Sequence, residues 1–360
     1  MTAAEVRERV RAGGLLSSGS DVVAMLSGGR DSVCLLDVAI ALCGAGQVHA
    51  LHVNYGLRAE SDEDERHCRE LCELLGVEIE VVQASRAEQA SGNLHAWARE
   101  LRYAAAHELA QRLEQALIAT GHTATDQVET ILYRLAASPG RRALLGMAPK
   151  EGRLVRPLLG LTRQDTAAYC QELKLAWHED SSNDSELYAR ARVRHRLVKA
   201  LDAVHPAAQA NVLRTAALLR EETELLDALV DAELGTGASI AIERLGQLAP
   251  ALQRLVVIRL AEQAGGELAP QAGERVGEIL ALGARGGRAE LHVGGLAGAV
   301  IENGVLRVVA IQPREQRPPR SRSKQGQADP HEPQQGQAGA PETLPEPIPT
   351  DAEDPDGQGP

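Results

Sequence analysis

The chain has 360 residues, is 44% hydrophobic and carries 50 acidic against 38 basic side chains, a net charge of −12. That size and apolar content suit a soluble protein of two ordinary domains, while the acidic balance excludes sequence-blind affinity for a polyanion, which needs Lys and Arg. The charged start MTAAEVRERVRAGG has no apolar centre and no run of about eighteen apolar residues follows, so a cytoplasmic protein without a membrane span is expected.

Up to about residue 200, short β-branched runs at Val22–Leu26, Val48–Val53, Val77–Val82 and Leu117–Thr120 are each followed by a helix-like stretch. This rhythm predicts an α/β domain, a Rossmann-like parallel sheet covered by helices, over residues 1–204. From His205 the pattern changes to Leu/Ala-rich helical segments such as Ala207–Leu234 and Ala251–Ala264. Three strand-like runs, Ala289–Val293, Gly298–Glu302 and Val305–Ala310, close the region, which reads as a smaller helical α+β domain over 205–311. Beyond Ile311 lie 11 of the 17 prolines, among Gln, Gly and charge, so 312–360 is expected to be a disordered, solvating tail.

With no Phe and two Trp, the core must be built from Leu, Val, Ala and Ile, and few rings remain for stacking bases. The five cysteines form no disulfide framework. Cys68, Leu71, Cys72 and Leu75 fall at i, i+3, i+4, i+7, the buried stripe of an amphipathic helix. Positive charge is concentrated locally: Arg134, Arg141, Arg142, Lys150, Arg153, Arg156 and Arg163 face only Glu151, and Arg190, Arg192, Arg194, Arg196 and Lys199 form a second run. Such patches either hold a specific RNA or are solvated helix faces.

The first strand ends in Ser27-Gly28-Gly29-Arg30-Asp31-Ser32 and leads directly into a helix. Backbone N–H groups and a helix N-terminus then face whatever sits in the turn, which favours a phosphate. Gly28 and Gly29 allow close backbone approach, and Ser27 and Ser32 offer hydroxyls. Asp31 cannot attract phosphate by charge; capping the helix and helping to hold a phosphate-bound Mg²⁺ are its expected tasks. GxxxxGK-S/T is absent, which argues against a Walker-type NTPase.

The six residues resemble the PP-loop of the N-type ATP pyrophosphatases. With LHVNYGLRAESDEDERHC (51–68), ARELRY (98–103), GHTATDQVET (121–130), RLVRPLL (153–159), WHEDSSND (177–184) and YARARVRHRL (188–197), they come in the order seen in tRNA(Ile)-lysidine synthetases. The resemblance is close over about residues 20–200 and loose to 311. It implies a short form without the second C-terminal domain of longer members.

It also implies a ligase that cleaves ATP, with Mg²⁺ as part of that substrate, to AMP and diphosphate. The wobble cytidine of a CAU-anticodon isoleucine tRNA is first adenylated on its C2 oxygen, and the ε-amine of free L-lysine then displaces AMP. A homodimer is compatible with the family, and no resident metal is expected. Ser27, Gly28, Gly29, Arg30, Asp31, Ser32 and His122 are the implied nucleotide-binding residues. Asp31, Asp126 and Glu129 are the implied catalytic carboxylates; the last two, at i, i+3, share a helix face. The lysine amine, with an unperturbed pKa near ~10.4, needs a base or desolvation. Arg99, Arg102, Arg156, Arg190 and Arg194 are the implied substrate or tRNA contacts, with ion pairing to neighbours such as Glu179 and Asp180 as the other reading. Pro157 and Asn183 shape turns.

The chain departs from the family at Thr125, where the first of two adjacent aspartates is usual. Further departures are His95 for a Glu, Ala137-Ser138-Pro139-Gly140 for an RGSG block, and Ala191 for an Asn. These leave open a tRNA-binding paralogue with impaired catalysis. A PP-loop tRNA cytidine thiolase is the other alternative; it normally needs paired cysteines, and no CxxC is present.

Overall fold

In β1 (Val22–Met25), Val22 and Ala24 face one hydrophobic cluster while Val23 and Met25 face another. Side chains alternate across a strand, so a strand buried on both faces reads as one continuous apolar run. The protein was analysed as a computed structural model, which describes residues 1–57, 60–84, 94–137, 140–178 and 189–311 except the side chains of His95 and Arg190. The expectation for 312–360 lies outside the described residues.

The first part of the chain runs α1 (Ala3–Ala12), β1, α2 (Arg30–Cys43), β2 (Val48–Asn54), α3 (Ser61–Leu75), β3 (Glu78–Gln83), α4 (Leu94–Arg112), β4 (Leu117–Ala119) and α5 (Ala124–Ala137). It continues with α6 (Arg141–Leu144), β5 (Lys150–Glu151), β6 (Leu154–Val155) and α7 (Arg163–Glu172). The sheet order is β3-β2-β1-β4-β6-β5; all neighbours are parallel except the short β5, which is antiparallel to β6. The four expected strands are present, shifted by a residue at some ends. The pair β5 and β6 was not expected, because two-residue strands carry no readable alternation.

Helices cover both faces. On one side α1, α2, α3 and α7 pack with Val22, Ala24, Val48, Ala50 and Val155. On the other, Ala105, Ala106, Leu109 and Ala110 of α4 meet Val23, Met25, Leu51 and Ile118. Cys68, Leu71 and Cys72 are buried as the helical spacing requires, and burial pushes the Cys72 thiol up to about 11 and Cys68 higher still. Both are core residues, protonated at neutral pH.

The chain continues through α8 (Ala189–Arg192), a π-helical segment (Val193–Val198), α9 (Lys199–Val204) and α10 (Ala208–Leu234). After β7 (Ser239–Ala241) come α11 (Ile242–Gln247), α12 (Pro250–Gly265), α13 (Val276–Arg285), β8 (Ala289–Gly294), β9 (Ala297–Glu302) and β10 (Val305–Ala310). The strands form an antiparallel sheet ordered β7-β10-β9-β8. Ala297, Ala299 and Ile301 turn inward to a second core with Val256, Val257 and Leu260 of α12, the half-buried alternation of an antiparallel sheet. Only β7 was missed among these strands.

Residues Met1–Ile311 form one compact unit. Arg220 of α10 donates to the Leu145 carbonyl at 2.6 Å, and Arg142 pairs with Glu262 of α12. Among the described residues no helix is long and apolar enough to cross a membrane.

One buried polar network sets the position of α7. The Tyr169 hydroxyl donates to Asp37 of α2, Arg7 of α1 donates to the same carboxylate at 2.7 Å, and Arg7 Nε donates to the Tyr169 oxygen at 2.8 Å. Burial and the Asp37 carboxylate raise the Tyr169 pKa far above its ordinary value. Tyr169→Phe deletes one donor and one acceptor, and the expected loss is about 1–3 kcal/mol. Urea unfolding should show a lower midpoint with an unchanged m-value.

Candidate active site

The order β3-β2-β1-β4 reverses direction between β1 and β4, so the loops that follow these strands border a crevice at the C-terminal edge of the sheet. The phosphate loop follows β1 and Gly121-His122-Thr123 follows β4. A Cβ on Gly121 would stand 3.0 Å from the Asp31 carbonyl carbon and oxygen, so only glycine lets the two loops approach this closely.

The SGGRDS loop is formed without a ligand. Gly28 has φ +82°, a left-handed conformation that side chains rarely adopt. Ser32 Oγ donates to the Gly29 carbonyl at 2.7 Å and accepts from Ser27 N–H at 3.1 Å, and the Ser27 and Ser32 hydroxyls are 3.1 Å apart. His178 N–H donates to the Gly28 carbonyl at 2.9 Å, and the His178 ring reaches Asp64 at 2.9 Å and stacks on His67 at 4.2 Å. The loop is thus braced from α3 and from the strand-like segment at His178.

Asp31 does not cap α2. Gly29 occupies the N-cap and no side chain bonds there; Asp31 already lies inside the first turn, and its carboxylate is engaged by other side chains. It accepts from Thr166 Oγ1 at 2.5 Å and lies 3.3 Å from Arg30 Nε and 3.7 Å from Arg163 Nε.

Asp126 belongs to a capping box. Thr123, just before α5, donates its N–H and its hydroxyl to Asp126 Oδ2, each at 2.8 Å. Thr162 and Asp165 form the equivalent box at the start of α7 and place Arg163 at the first helical position. Ala124 N–H donates to the Leu161 carbonyl at 2.7 Å and Arg163 N–H to Thr125 Oγ1 at 3.4 Å, so the two helix starts abut.

Arg163 is the residue that joins these parts. Its guanidinium lies 2.7 Å from Asp126 Oδ1, 3.4 Å from Glu129 Oε1 and 3.7 Å from Asp31 Oδ2. Glu129, buried to 2% exposure, is also gripped by Arg194 of the π-helical segment at 2.7 and 3.2 Å. The three carboxylates expected from sequence therefore share one site, organised by a cation that the sequence reading counted only as part of a basic patch. Burial opposes ionisation of Asp126, but Arg163, the Thr123 donors and His122 outweigh it and hold its pKa below the ordinary 3.8. His122 lies 2.8 Å from the Thr120 hydroxyl, at the edge of the same crevice.

The expected arginines divide. Tyr55, at the end of β2, donates to the Ala98 carbonyl at 3.0 Å, which brings the first turns of α4 to the C-terminal edge of the sheet. Arg99 and Arg102 there lie 4.7 and 5.8 Å from the Tyr103 ring centre, and Arg102 Nε is buried without a hydrogen-bond partner. Arg156 requires correction: its side chain is 5% exposed, donates to the Ala148 carbonyl at 2.6 Å and faces Glu151 at 3.3 Å. It stitches the interior and does not face an RNA surface. Arg194 faces Glu129, while the side chain of Arg190, with Glu179, Asp180 and Asn183, lies outside the described residues. The Arg134–Arg163 patch is likewise partly consumed within the protein: Arg134 donates to the Gly146 carbonyl at 2.6 Å, and Arg142, Arg156 and Arg163 have the partners given above.

The PP-loop domain family matches residues 4–201. The chain is 34% identical over 290 residues to a tRNA(Ile)-lysidine synthase of Dehalococcoides mccartyi, covering 74% of this chain and 62% of that one. It is 35% identical over 237 residues to a tRNA(Ile)-lysidine synthase of Gloeobacter violaceus, covering 63% and 71%. The chain belongs to the tRNA(Ile)-lysidine synthase family. It spans about half to two thirds of the length of the curated relatives it matches. Among solved structures, the U34-tRNA thiolase NcsA of Methanococcus maripaludis, with its 4Fe-4S cluster, superposes with TM-score 0.52 at 20% identity over 60% of this chain and 78% of that one. That likeness shows the α/β fold. The match places the SGGRDS loop in a PP-loop domain, as its resemblance implied.

The Asp126 environment has a pH consequence. A carboxylate with a folded pKa below its unfolded value adds stability that is fully present above the unfolded value of 3.8 and is lost as pH falls through the folded one. The stability advantage of wild type over Asp126→Asn should therefore be full at pH 7 and shrink below pH 3.8. Urea melts of both proteins at pH 7 and in the acid range check this, and Arg163→Ala should shift the loss to higher pH.

Proposed function

We propose that this protein ligates L-lysine to C2 of the wobble cytidine of a CAU-anticodon isoleucine tRNA, converting ATP to AMP and diphosphate, in the cytoplasm. The observation that carries the reading is the meeting of the SGGRDS loop with Asp31, Asp126 and Glu129 around Arg163, in a chain that belongs to the lysidine synthase family.

Three helices, α2, α5 and α7, begin at this edge of the sheet, and their N-termini favour an anion. The phosphates of ATP lie in the Ser27–Ser32 loop, where Gly28, Gly29 and Arg30 offer backbone and guanidinium donors and Ser27 and Ser32 exchange their mutual hydrogen bonds for phosphate oxygens. His122 lines the nucleotide side of the crevice. Mg²⁺ enters as part of the nucleotide substrate, with Asp31, beside the phosphate loop, helping to hold it.

In the first step the cytidine C2 oxygen attacks the α-phosphate and diphosphate leaves. The two arginines of α4, Arg99 and Arg102, stand at the same edge to meet substrate phosphates. In the second step the lysine ε-ammonium gives up a proton, the free amine attacks C2, and AMP departs with the C2 oxygen. Asp126 and Glu129 are the carboxylates that attract and orient the ammonium, and Glu129, 2% exposed, is the one placed to take the proton. Both are held by Arg163 in the unliganded protein, and an incoming ammonium competes with a guanidinium for them.

Labelled L-lysine, with ATP and Mg²⁺, should enter an unmodified CAU isoleucine transcript and not an initiator methionine tRNA. Asp31→Ala should leave tRNA binding near wild type and abolish AMP formation; retained turnover removes Asp31 from the mechanism. Release of AMP without label would mean a different nucleophile, and neither product would mean an RNA binder.

Thr125 already accepts from the Arg163 N–H at the start of α7. Thr125→Asp should therefore be tolerated and keep or raise the rate of lysine incorporation. A loss beyond about tenfold, roughly 1.4 kcal/mol in the barrier, would show that the site is built around the hydroxyl.

A further inference from the structure

Each carboxylate around Arg163 is also positioned by another group. Asp126 Oδ2 takes both Thr123 donors of the capping box, while Oδ1 takes the guanidinium. Glu129 is gripped through both oxygens by Arg194, and Asp31 accepts from Thr166 Oγ1. Arg163 reaches the three with all its guanidinium nitrogens, Nη2 to Asp126, Nη1 to Glu129 and Nε to Asp31, and its side chain is 25% exposed. We infer that Arg163 is the internal occupant of the lysine-ammonium site, and that nucleotide phosphates in the Ser27–Ser32 loop draw it off, so that ATP opens the site for lysine. The inference rests on the proposed reaction and adds a positioning residue that sets the order of substrate binding.

Charge balance gives the reason. In the unliganded protein the carboxylates of Asp31, Asp126 and Glu129 are matched by the guanidiniums of Arg30, Arg163 and Arg194. A lysine ammonium entering this cluster would be a fourth cation beside the other three, and like charges at partly buried positions repel strongly. Nucleotide phosphates bring negative charge to the loop that carries Arg30 and Asp31. Arg163 Nε already lies 3.7 Å from Asp31, and a planar guanidinium matches phosphate oxygens in pairs. Once the guanidinium turns to the phosphates, Asp126 and Glu129 lose the cation they share but keep their places through Thr123 and Arg194. A compact ammonium with three N–H donors can then bridge the two carboxylates.

The fold does not hang on this side chain. The capping box of Thr162 and Asp165 fixes the start of α7, and Tyr169, Asp37 and Arg7 fix its body to α2 and α1. Substitution at 163 therefore tests the site and not the packing.

The test measures equilibrium binding of labelled L-lysine to the full-length protein, with and without α,β-methylene-ATP and Mg²⁺. Wild type should bind lysine about tenfold more tightly with the analogue, a coupling of ordinary size for two linked sites. Without the analogue, Arg163→Ala and Arg163→Gln should bind lysine about tenfold more tightly than wild type, and the analogue should then change that affinity by about threefold or less. Arg163→Lys keeps a cation at the carboxylates and should behave as wild type, which separates the charge from a general disturbance. Unfolding midpoints verify that the variants keep the fold. Wild type alone can overturn the inference, by binding lysine equally well with and without the analogue or by not binding it in either state. So can Arg163→Ala and Arg163→Gln, if both retain the wild-type affinity and analogue dependence. Lysidine formation by wild type is scored separately. Lysidine with no Arg163-dependent coupling refutes the inference and leaves the proposed function standing; coupling through Arg163 without lysidine refutes the function and leaves the arginine's role in lysine binding standing.

Discussion

The Arg163 guanidinium faces carboxylates from two other helices, and the rest of the site depends on that convergence. Asp31 comes from α2, Asp126 and Glu129 from α5, and Arg163 itself opens α7. Without a cation among them, three carboxylates around one partly buried point would repel one another. With Arg163 there, and with Arg30 and Arg194 at its flanks, the acidic groups can gather beside the phosphate loop. The arrangement also joins three helices at one end of the sheet, so the geometry of the proposed site and the tertiary structure are held by the same contacts.

The local electrostatics explain how an acidic chain can suit the polyanionic substrates proposed for it. Net charge acts at long range and is screened over about 8–10 Å at ordinary ionic strength. Inside the crevice the relevant field is that of three helix N-termini, two of them fixed by capping boxes, and nearby guanidiniums. Capping has a second effect here. Thr123 with Asp126, and Thr162 with Asp165, set the starting points of α5 and α7, and the first residue of α7 is the arginine around which the carboxylates gather. A residue pattern that serves helix stability thereby sets functional geometry.

Below that surface, the packing gives the loops a rigid frame. Val23 and Met25 press on α4 while Val22 and Ala24 press on α2 and its neighbours, so β1 cannot shift without disturbing both layers. Tyr169, Asp37 and Arg7 lock α7 to α2 and α1 by hydrogen bonds on the same side. The π-helical segment places Arg194 against Glu129, while Val193 and Val198 of that segment pack with Val128 of α5. Irregular helical turns of this kind recur at functional sites because they redirect side chains without breaking the helix.

The sequence by itself determined the parallel α/β class, the later helical and antiparallel part, the phosphate loop and the family. Each depends on local properties: β-branched runs, helical spacing, glycines at a strand-to-helix turn and a set of motifs in fixed order. It also pointed to Asp31, Asp126 and Glu129, because their residue types and motif positions are visible one segment at a time. Only the tertiary structure decided what those carboxylates face. Arg163 lies in a different segment from each of them, 132 residues along the chain from Asp31, and charge counting treats it as one basic residue among several. Arg156 looked like an RNA contact for the same reason, since a charge in sequence does not reveal whether a backbone carbonyl and burial already claim it. Gly121 shows the limit most directly: its necessity comes from the Asp31 backbone passing 3.0 Å from where a Cβ would stand, a contact that exists only once β1 and β4 lie side by side.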